Sequence, residues 1–410
     1  MPAGRVVTAP GGIAPGIVPA ASIPRGDAAA LARALVRIDS RNPSLAAGVT
    51  GEGAAAHYLA DVLRQWGLPV ELQEALPGRP NVVARVGPAG GRSLMLNGHL
   101  DTVGVEGMAH APFDAEERDG ALFGRGSADM KGGVAAMCAA AARAADAGLA
   151  GEVIVAAVVD EEWVSAGTRA LVAAGVRADA AIVTEPTRLA IMPAHRGFAW
   201  LTVTVGGRAA HGSRYDLGVD AIRHAGLILA ELDRLEAETL TGRSHPLLGR
   251  ASLHASLIEG GTGISTYPDR CVLRLERRTL PGETEHDALR EVEDACERVR
   301  SRRPELAATV TLDFAQLPSD VALEAPVVRA LATALRAAGE EVRVEGMSAW
   351  TDAALLNAAG IPAICFGPGD IAVAHAAEEW APLAEIERAA EALTRFARLW
   401  TGGWQDAWRS

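Results

Sequence analysis

Acidic and imidazole side chains follow two long apolar runs of this chain. Residues 94–98 lead into His99 and Asp101, and residues 153–159 run directly into the acidic stretch 160–162 (Asp-Glu-Glu). Near-continuous apolar stretches are typical of buried strands in a parallel α/β sheet. Such sheets bind their ligands just beyond the carboxyl ends of the strands. We therefore expect these polar side chains to meet at one edge of a sheet.

Further residues of the same types lie at comparable positions. Glu185 follows the apolar run 180–184, His375 follows the run 361–366 and a glycine-proline loop, and Asp129 precedes a helix. Catalytic zinc takes histidine nitrogen and carboxylate oxygen, and a two-metal site needs a carboxylate that bridges ions about 3.5–4 Å apart. Each residue alone would be a structural histidine or a solvated acidic turn. Together they predict a metal centre with the ligands His99, Asp129, Glu162, Glu185 and His375.

Two more residues complete the predicted site. Asp101 lies two positions after His99 on an extended segment, so its carboxylate should accept the remaining imidazole N–H and fix the tautomer. Neighbouring residues of an extended chain point in opposite directions. If Glu162 binds metal, Glu161 therefore points elsewhere and is the candidate general base for the attacking water.

The chain resembles the co-catalytic zinc family of acetylornithine deacetylase, succinyl-diaminopimelate desuccinylase, aminoacylases and glutamate carboxypeptidases. The stretches that carry the resemblance are 97–103, 124–133, 160–162, 184–187 and 366–369, the last leading to His375. The resemblance implies two Zn²⁺ ions, with Co²⁺ or Mn²⁺ as possible substitutes, and Glu161 as the base. It implies that Asp129 bridges the ions, that His99 and Glu185 hold one ion, and that Glu162 and His375 hold the other.

The resemblance also gives roles to residues in a second region. His211 matches a lid histidine that reaches the active site of a partner subunit and polarises the scissile carbonyl; from the residues alone, a structural turn histidine is the alternative. Arg278 falls where the family has an arginine that clamps a substrate carboxylate, a task that suits the planar guanidinium, although a surface arginine would look the same. Ser265 stands where the family often has Asn and Glu276 where it often has Asp, so the substrate side differs.

The order of the elements predicts an α/β fold with an insertion. Strands alternate with helices over residues 26–195 and again over 317–410, which indicates a mixed, mostly parallel sheet sandwiched by helices. This part is expected to be a zinc-peptidase-like catalytic domain that carries the two metal ions. Residues 196–316 follow a βαββαβ order, which predicts a ferredoxin-like α+β domain serving as lid and dimerisation domain. We expect residues 1–25 to form a flexible tail.

Composition limits the classes of partner. The net charge of −12 disfavours nucleic acid, which requires a basic surface. The longest apolar region is interrupted by charges, so no membrane span is expected. The four cysteines have no CxxC spacing and are expected to be reduced and mostly buried. Because the first residues do not resemble a signal peptide, a cytoplasmic location is predicted.

The predicted activity is hydrolysis of the amide bond of an N-acyl amino acid by a water activated between two zinc ions, in a homodimer. The expected substrate is a small N-acyl amino acid or a short peptide. A dipeptidase or a glutamate-type carboxypeptidase would use the same site. A catalytically inactive metal-binding homologue is a remote alternative, because such a protein could lose the base Glu161 without unfolding, and Glu161 is present. Serine hydrolysis is disfavoured because the chain has no GxSxG nucleophile elbow.

Overall fold

The computed structural model describes residues 17–402, which divide into two compact units. The first unit comprises residues 17–191, 323–344 and 355–402. The second comprises 192–322 and the short stretch 345–354. The sequence placed the boundaries after residues 195 and 316, and no pattern in it assigned 345–354 to the inserted unit.

The elements of the first segment are α1 (Ala28–Val36), α2 (Gly53–Gln65), β1 (Val70–Leu76), β2 (Arg79–Val86), β3 (Leu94–His99), β4 (Glu116–Arg118), β5 (Ala121–Phe123), α3 (Gly132–Asp146), β6 (Val153–Val158), α4 (Ala166–Ala173) and β7 (Ala180–Val183). The elements of the inserted segment are β8 (Ile191–His195), β9 (Gly197–Gly206), α5 (Ala221–Glu238), β10 (Ser244–His245), β11 (Gly249–Arg250), β12 (Ser252–Gly260), β13 (Arg270–Thr279), α6 (Glu285–Arg300), β14 (Ala307–Gln316) and β15 (Ser319–Asp320). The last segment contains α7 (Pro326–Ala337), β16 (Val344–Met347), α8 (Ala353–Ala358), β17 (Ala363–Cys365), β18 (Trp380–Pro382) and α9 (Leu383–Thr401).

The first unit is built on a mixed sheet in which the strands β1, β2, β6, β3, β7 and β17 follow one another in space. β3 runs parallel to β6 and β7, and β17 runs parallel to β7, whereas β1 and β2 pair in the antiparallel sense. Every residue of β3, β6 and β7 is buried, as expected of strands whose sequences are continuously apolar. This confirms the predicted α/β fold with a mostly parallel sheet.

The register of these strands brings their ends to one edge. His99 pairs with Val158, the last residue of β6, and Asn97 pairs with Val183, the last residue of β7. The stretch after β6 and the residues after β7 therefore leave the sheet beside the end of β3. Glu185 is one of these residues, and it is buried.

Residues 1–16 of the predicted tail lie outside the described residues. The described remainder is bound to the first unit: Tyr58 donates its hydroxyl hydrogen to the Val18 carbonyl at 2.8 Å, and the Trp66 indole N–H donates to the Ile23 carbonyl at 3.1 Å. Arg25 forms an ion pair with Asp146 at 2.7 Å. Hydrogen bonds and an ion pair thus attach residues 18–25 to the first unit.

The second unit contains a four-stranded antiparallel sheet in the order β12-β13-β9-β14, against which α5 and α6 pack. This is the strand order that a ferredoxin-like βαββαβ unit requires, because each helix connects strands separated by one neighbour. Its core contains Leu201, Val203, Ile228, Leu273 and Val292.

The cysteines and the apolar helices were also the subject of predictions from the sequence. All four cysteines are free and buried, as their spacing suggested. Between residues 17 and 402, no helix has both the length and the apolar character needed to cross a membrane.

Candidate metal centre

The centre of the site is the Asp129 carboxylate, which lies between two imidazoles. His99 Nε2 is 3.0 Å from Asp129 Oδ1, and His375 Nε2 is 3.2 Å from Asp129 Oδ2. His99 is the last residue of β3 and is buried, whereas the His375 side chain is about half exposed, at 49%. One carboxylate therefore presents each of its oxygens to a different histidine.

Glu162 joins this group from the turn after β6. Its Oε1 lies 3.2 Å from His375 Nε2, and its candidate ligand atom lies within 4.8 Å of those of His99 and Asp129. Glu161, the neighbouring residue, has its Oε2 3.9 Å from His99 Nε2, beyond hydrogen-bond distance. Residues 161–164 form a turn rather than the extended chain assumed from the sequence, so the turn, not strand alternation, separates the two carboxylates.

Asp101 binds the backbone of that turn. Its Oδ1 accepts the Glu161 N–H at 3.1 Å, and its Oδ2 accepts the Glu162 N–H at 3.0 Å. The second ring nitrogen of His99, Nδ1, faces the Asp101 backbone carbonyl at 3.0 Å and is 3.6 Å from the Asp101 carboxylate. The closer partner of the imidazole is thus the backbone oxygen, and the carboxylate mainly fixes the two glutamates.

The loop that carries Asp129 and the end of β7 are both shaped by glycine. Gly126 has φ +84°, a left-handed conformation that residues with a Cβ rarely adopt. Gly133, at the start of α3, lies so close to the Thr184 carbonyl that a Cβ would come within 2.0 Å of that oxygen. This close approach brings the beginning of α3 against the segment that leads to Glu185.

Electrostatics at the two histidines favour positive charge. Burial lowers the pKa of His99, but the hydrogen bond to Asp129 and the charges of Glu161, Asp129 and Asp101 outweigh it and hold that pKa well above its usual value. Burial acts in the same direction on His375, yet hydrogen bonds to Asp129 and Glu162 raise its pKa to about 10. The surrounding carboxylates thus stabilise cations at both imidazoles.

The carboxylates are affected in opposite directions. Burial raises the pKa of Asp129, but hydrogen bonds from His375 and His99 bring it below its usual value. Burial and the Asp129 charge raise the pKa of Glu162 against the influence of His375. A buried acidic cluster of this kind is well suited to a divalent cation, which would replace the imidazole protons.

Sequence reasoning missed a buried polar network beneath the site. The Asn42 side-chain amide donates to Asp101 at 2.9 Å and to Asp160 at 3.1 Å. The Arg79 guanidinium pairs with Glu52 and, at 3.0 Å, with Asp160. Asp160 has φ +68° at the point where the chain leaves β6. The acidic run 160–162 was visible in the sequence, but no local pattern indicated its partners.

The remaining candidates lie in the second unit. His211 is exposed, and its Nδ1 is 2.8 Å from the Ser213 hydroxyl. The Gly212 N–H donates to the Ser265 carbonyl at 2.7 Å, so the loops of His211 and Ser265 are neighbours. Arg278, on β13, already forms an ion pair with Glu276 and lies over the Phe198 ring at 5.5 Å from its centroid.

Comparison with known proteins places these features in a family. Residues 95–399 match the family described as peptidase family M20/M25/M40. The chain is 32% identical over 340 residues to acetylornithine deacetylase of Myxococcus xanthus, covering 81% of this chain and 87% of that protein. It is 28% identical over 377 residues to N-formyl-4-amino-5-aminomethyl-2-methylpyrimidine deformylase of Bacillus subtilis, covering 84% and 88%.

Solved structures share the fold. Aminopeptidase PepT from Bacillus cereus superposes with a TM-score of 0.75 at 20% identity, covering 91% of this chain and 98% of that one. The YXEP protein of Bacillus subtilis, described as a dinuclear metal binding peptidase from the M20 family, superposes with a TM-score of 0.71 at 17% identity, covering 91% and 97%. The family match and the deacetylase similarity confirm the resemblance found in the sequence: the chain belongs to peptidase family M20/M25/M40 and is a metal-dependent hydrolase of amide or peptide bonds.

Proposed function

We propose that this protein removes the acyl group from an N-acyl amino acid, using two divalent metal ions held around Asp129. The observation that carries the proposal is the position of the Asp129 carboxylate, with His99 at one oxygen and His375 at the other. The similarity to acetylornithine deacetylase supports the substrate class.

The donor set fits two Zn²⁺ ions. His99 and Glu185 would hold one ion, Glu162 and His375 would hold the other, and Asp129 would serve both. Imidazole nitrogen and carboxylate oxygen are the ligands that catalytic zinc takes, and Co²⁺ or Mn²⁺ could substitute. The raised pKa values of both histidines support the fit, because they express a local field that stabilises positive charge.

When bound, the ions would supply Lewis acidity to the scissile carbonyl and to the attacking water. Glu161 accepts the proton of that water and returns it to the leaving amine. Its backbone is fixed by Asp101, which we assign to the catalytic machinery because it also holds the backbone of Glu162 and faces His99. Both glutamates therefore keep a defined position while Glu161 exchanges its proton.

Substrate recognition is assigned to the second unit. His211 would donate a hydrogen bond to the developing oxyanion, and the neighbouring Ser265 would bind the substrate beside it. Arg278 would bind the carboxylate of the amino acid. Since Arg278 is already paired with Glu276, a substrate carboxylate must compete with that glutamate for the guanidinium.

We further infer a homodimer formed through the second unit, with His211 of the partner subunit completing each site. Support comes from β12, an edge strand that leaves Leu257 and Ile258 about 60% and 59% exposed. Exposed apolar edge strands are aggregation-prone unless they are covered. Four free, buried cysteines agree with a reducing compartment such as the cytoplasm.

A substrate panel tests the proposal. N-acetyl, N-succinyl and N-formyl amino acids and dipeptides would be offered to the zinc-loaded protein, with release of the free amine as the readout. We expect N-acyl amino acids to be cleaved, and chelator to abolish and zinc to restore the activity. Preferential cleavage of dipeptides would make the protein a peptidase with the same site. Turnover that survives complete metal removal would contradict the metal-dependent mechanism.

A further inference from the structure

A buried carboxylate outside the predicted site, that of Glu379, binds the loop that carries Asp129. Glu379 is fully buried and lies four residues after His375, directly before β18. Its Oε2 accepts hydrogen bonds from the Arg125 guanidinium at 2.7 Å and from the Gly126 N–H at 3.0 Å. Its Oε1 accepts the N–H groups of Ala128 and Asp129, both at 3.1 Å. Four donors thus converge on one carboxylate.

These contacts determine the path of residues 125–129. The left-handed Gly126 turns the chain, and three backbone N–H groups of the loop then point at Glu379. The Glu379 carbonyl also accepts the Gly124 N–H at 3.2 Å, and Trp380 pairs with Phe123 where β18 meets β5. The loop is therefore attached along its length to the segment that begins at His375.

Asp129 is consequently held at two points by one segment. Its backbone N–H is bound by Glu379, and its carboxylate faces the His375 imidazole at 3.2 Å. A shift of the loop would move the carboxylate relative to His99 and His375 together. Because metal sites need donor atoms within a few tenths of an ångström of their ideal positions, the backbone anchor matters as much as the side chain.

We propose that Glu379 is a positioning residue for the metal centre: it fixes the backbone of the Asp129 loop so that the Asp129 carboxylate meets both histidines. The inference rests on the proposed metal centre and adds a residue that would bind no metal itself. A carboxylate suits this task because it has only acceptors. Glutamine in its place would turn one of the two oxygens into an amide group that faces N–H donors in either orientation.

The test measures zinc affinity in the zinc-loaded full chain by competition with a chromophoric chelator. For Glu379→Gln we expect the zinc dissociation constant to rise about 10–100-fold, the usual consequence of losing an outer partner of a metal ligand. Glu379→Asp keeps the charge but withdraws it from the loop, so an intermediate loss is expected. This second variant gives the answer if the glutamine variant does not fold.

The matched control is Glu231→Gln. Glu231 is also a buried carboxylate bound by several donors, Arg234, Arg298 and Arg302, but it lies in the second unit. We expect this control to lower the melting temperature and to leave the zinc dissociation constant within about twofold of wild type, a margin well inside the change expected for Glu379→Gln.

Folded Glu379 variants with zinc affinity like that of the control, whatever their melting temperature, would overturn the positioning role. A wild-type protein that binds no zinc would instead contradict the proposed function itself.

Discussion

We predict that Arg79→Met lowers the free energy of unfolding of the first unit by about 3–5 kcal/mol, the usual effect of removing one partner of a buried ion pair. The Arg79 side chain is 11% exposed, and it pairs with Glu52 and Asp160, which are 0% and 2% exposed. Methionine replaces most of the aliphatic stem but none of the charge. The substitution therefore leaves two carboxylates buried without their cation.

The assay is calorimetric unfolding of metal-free protein at neutral pH, so that zinc binding does not add to stability. With roughly 2–4 °C per kcal/mol for a domain of this size, the melting temperature should fall by roughly 6–20 °C. The loss of stability should also depend on pH. A buried carboxyl group with a raised pKa destabilises the folded state only while it is ionised, so Arg79→Met should lose less unfolding free energy at pH 5 than at pH 8. Burial already raises the pKa of Glu52 in the intact network.

Arg64→Met is the matched control, because Arg64 pairs with Asp61 at 3.2 Å while the two side chains are 47% and 64% exposed. Such a surface pair contributes about 0–1 kcal/mol. If Arg79→Met and Arg64→Met shift the melting temperature equally, the network beneath the site does not stabilise the protein as argued.

Four further outcomes follow from the site and the second unit. Glu161→Gln should retain both metals yet lose about 10²–10⁴-fold in kcat, because it removes the base and no ligand; near-normal turnover or the loss of one zinc by elemental analysis would exclude this role. Asp129→Ala should lower zinc content more than either histidine-to-alanine variant at the site, and full occupancy would exclude Asp129 as a ligand. Mixing inactive Glu161→Gln and His211→Ala chains under verified subunit exchange should restore about a quarter of native activity if His211 acts across a dimer, assuming random pairing; no recovery would exclude that. Hydrogen bonding by Arg302, despite opposing burial, lowers the pKa of Glu231 to about 2, with Arg234 and Arg298 acting alike. The stabilisation by the ionised Glu231 carboxylate is complete above the pKa of glutamate in the unfolded chain, near 4.5, and is lost as pH falls toward 2. The melting temperature of the wild type should therefore exceed that of Glu231→Gln at pH 7 but not at pH 2.

The parts of the fold that could be predicted are those encoded locally. The second helix of the predicted βαββαβ order is α6, whose start is encoded locally by a capping box between Thr284 and Asp287. The strands β3 and β6 were recognised because buried parallel strands are continuously apolar. The antiparallel edge strand β1 and the helix α9 were not predicted. β1 alternates polar and apolar residues at the rim of the sheet, a weak signal over seven residues.

The same distinction applies to the site. His99 and Glu162 could be proposed as ligands from the sequence because His99 ends one apolar strand and Glu162 lies just after another. Asn42, Arg79 and Glu379 could not, since their partners are distant in sequence: Glu379 is 250 residues from Asp129. A side-chain bond to a remote backbone N–H leaves no periodic trace in the chain. The amino-acid sequence therefore predicts which residues lie at the ends of strands. The residues that hold those ends in place are recognised only in the tertiary structure.

Zinc titration of the metal-free protein, with bound metal and hydrolysis of an N-acyl amino acid followed together, tests whether Asp129 organises a catalytic metal centre. We expect two equivalents to bind, the activity to rise as they bind, and Asp129→Ala to lower both the bound zinc and the activity. Full hydrolytic activity before any metal is added would contradict a metal centre built around Asp129. Zinc binding to the Asp129→Ala variant with the same stoichiometry as to the wild type would also contradict it.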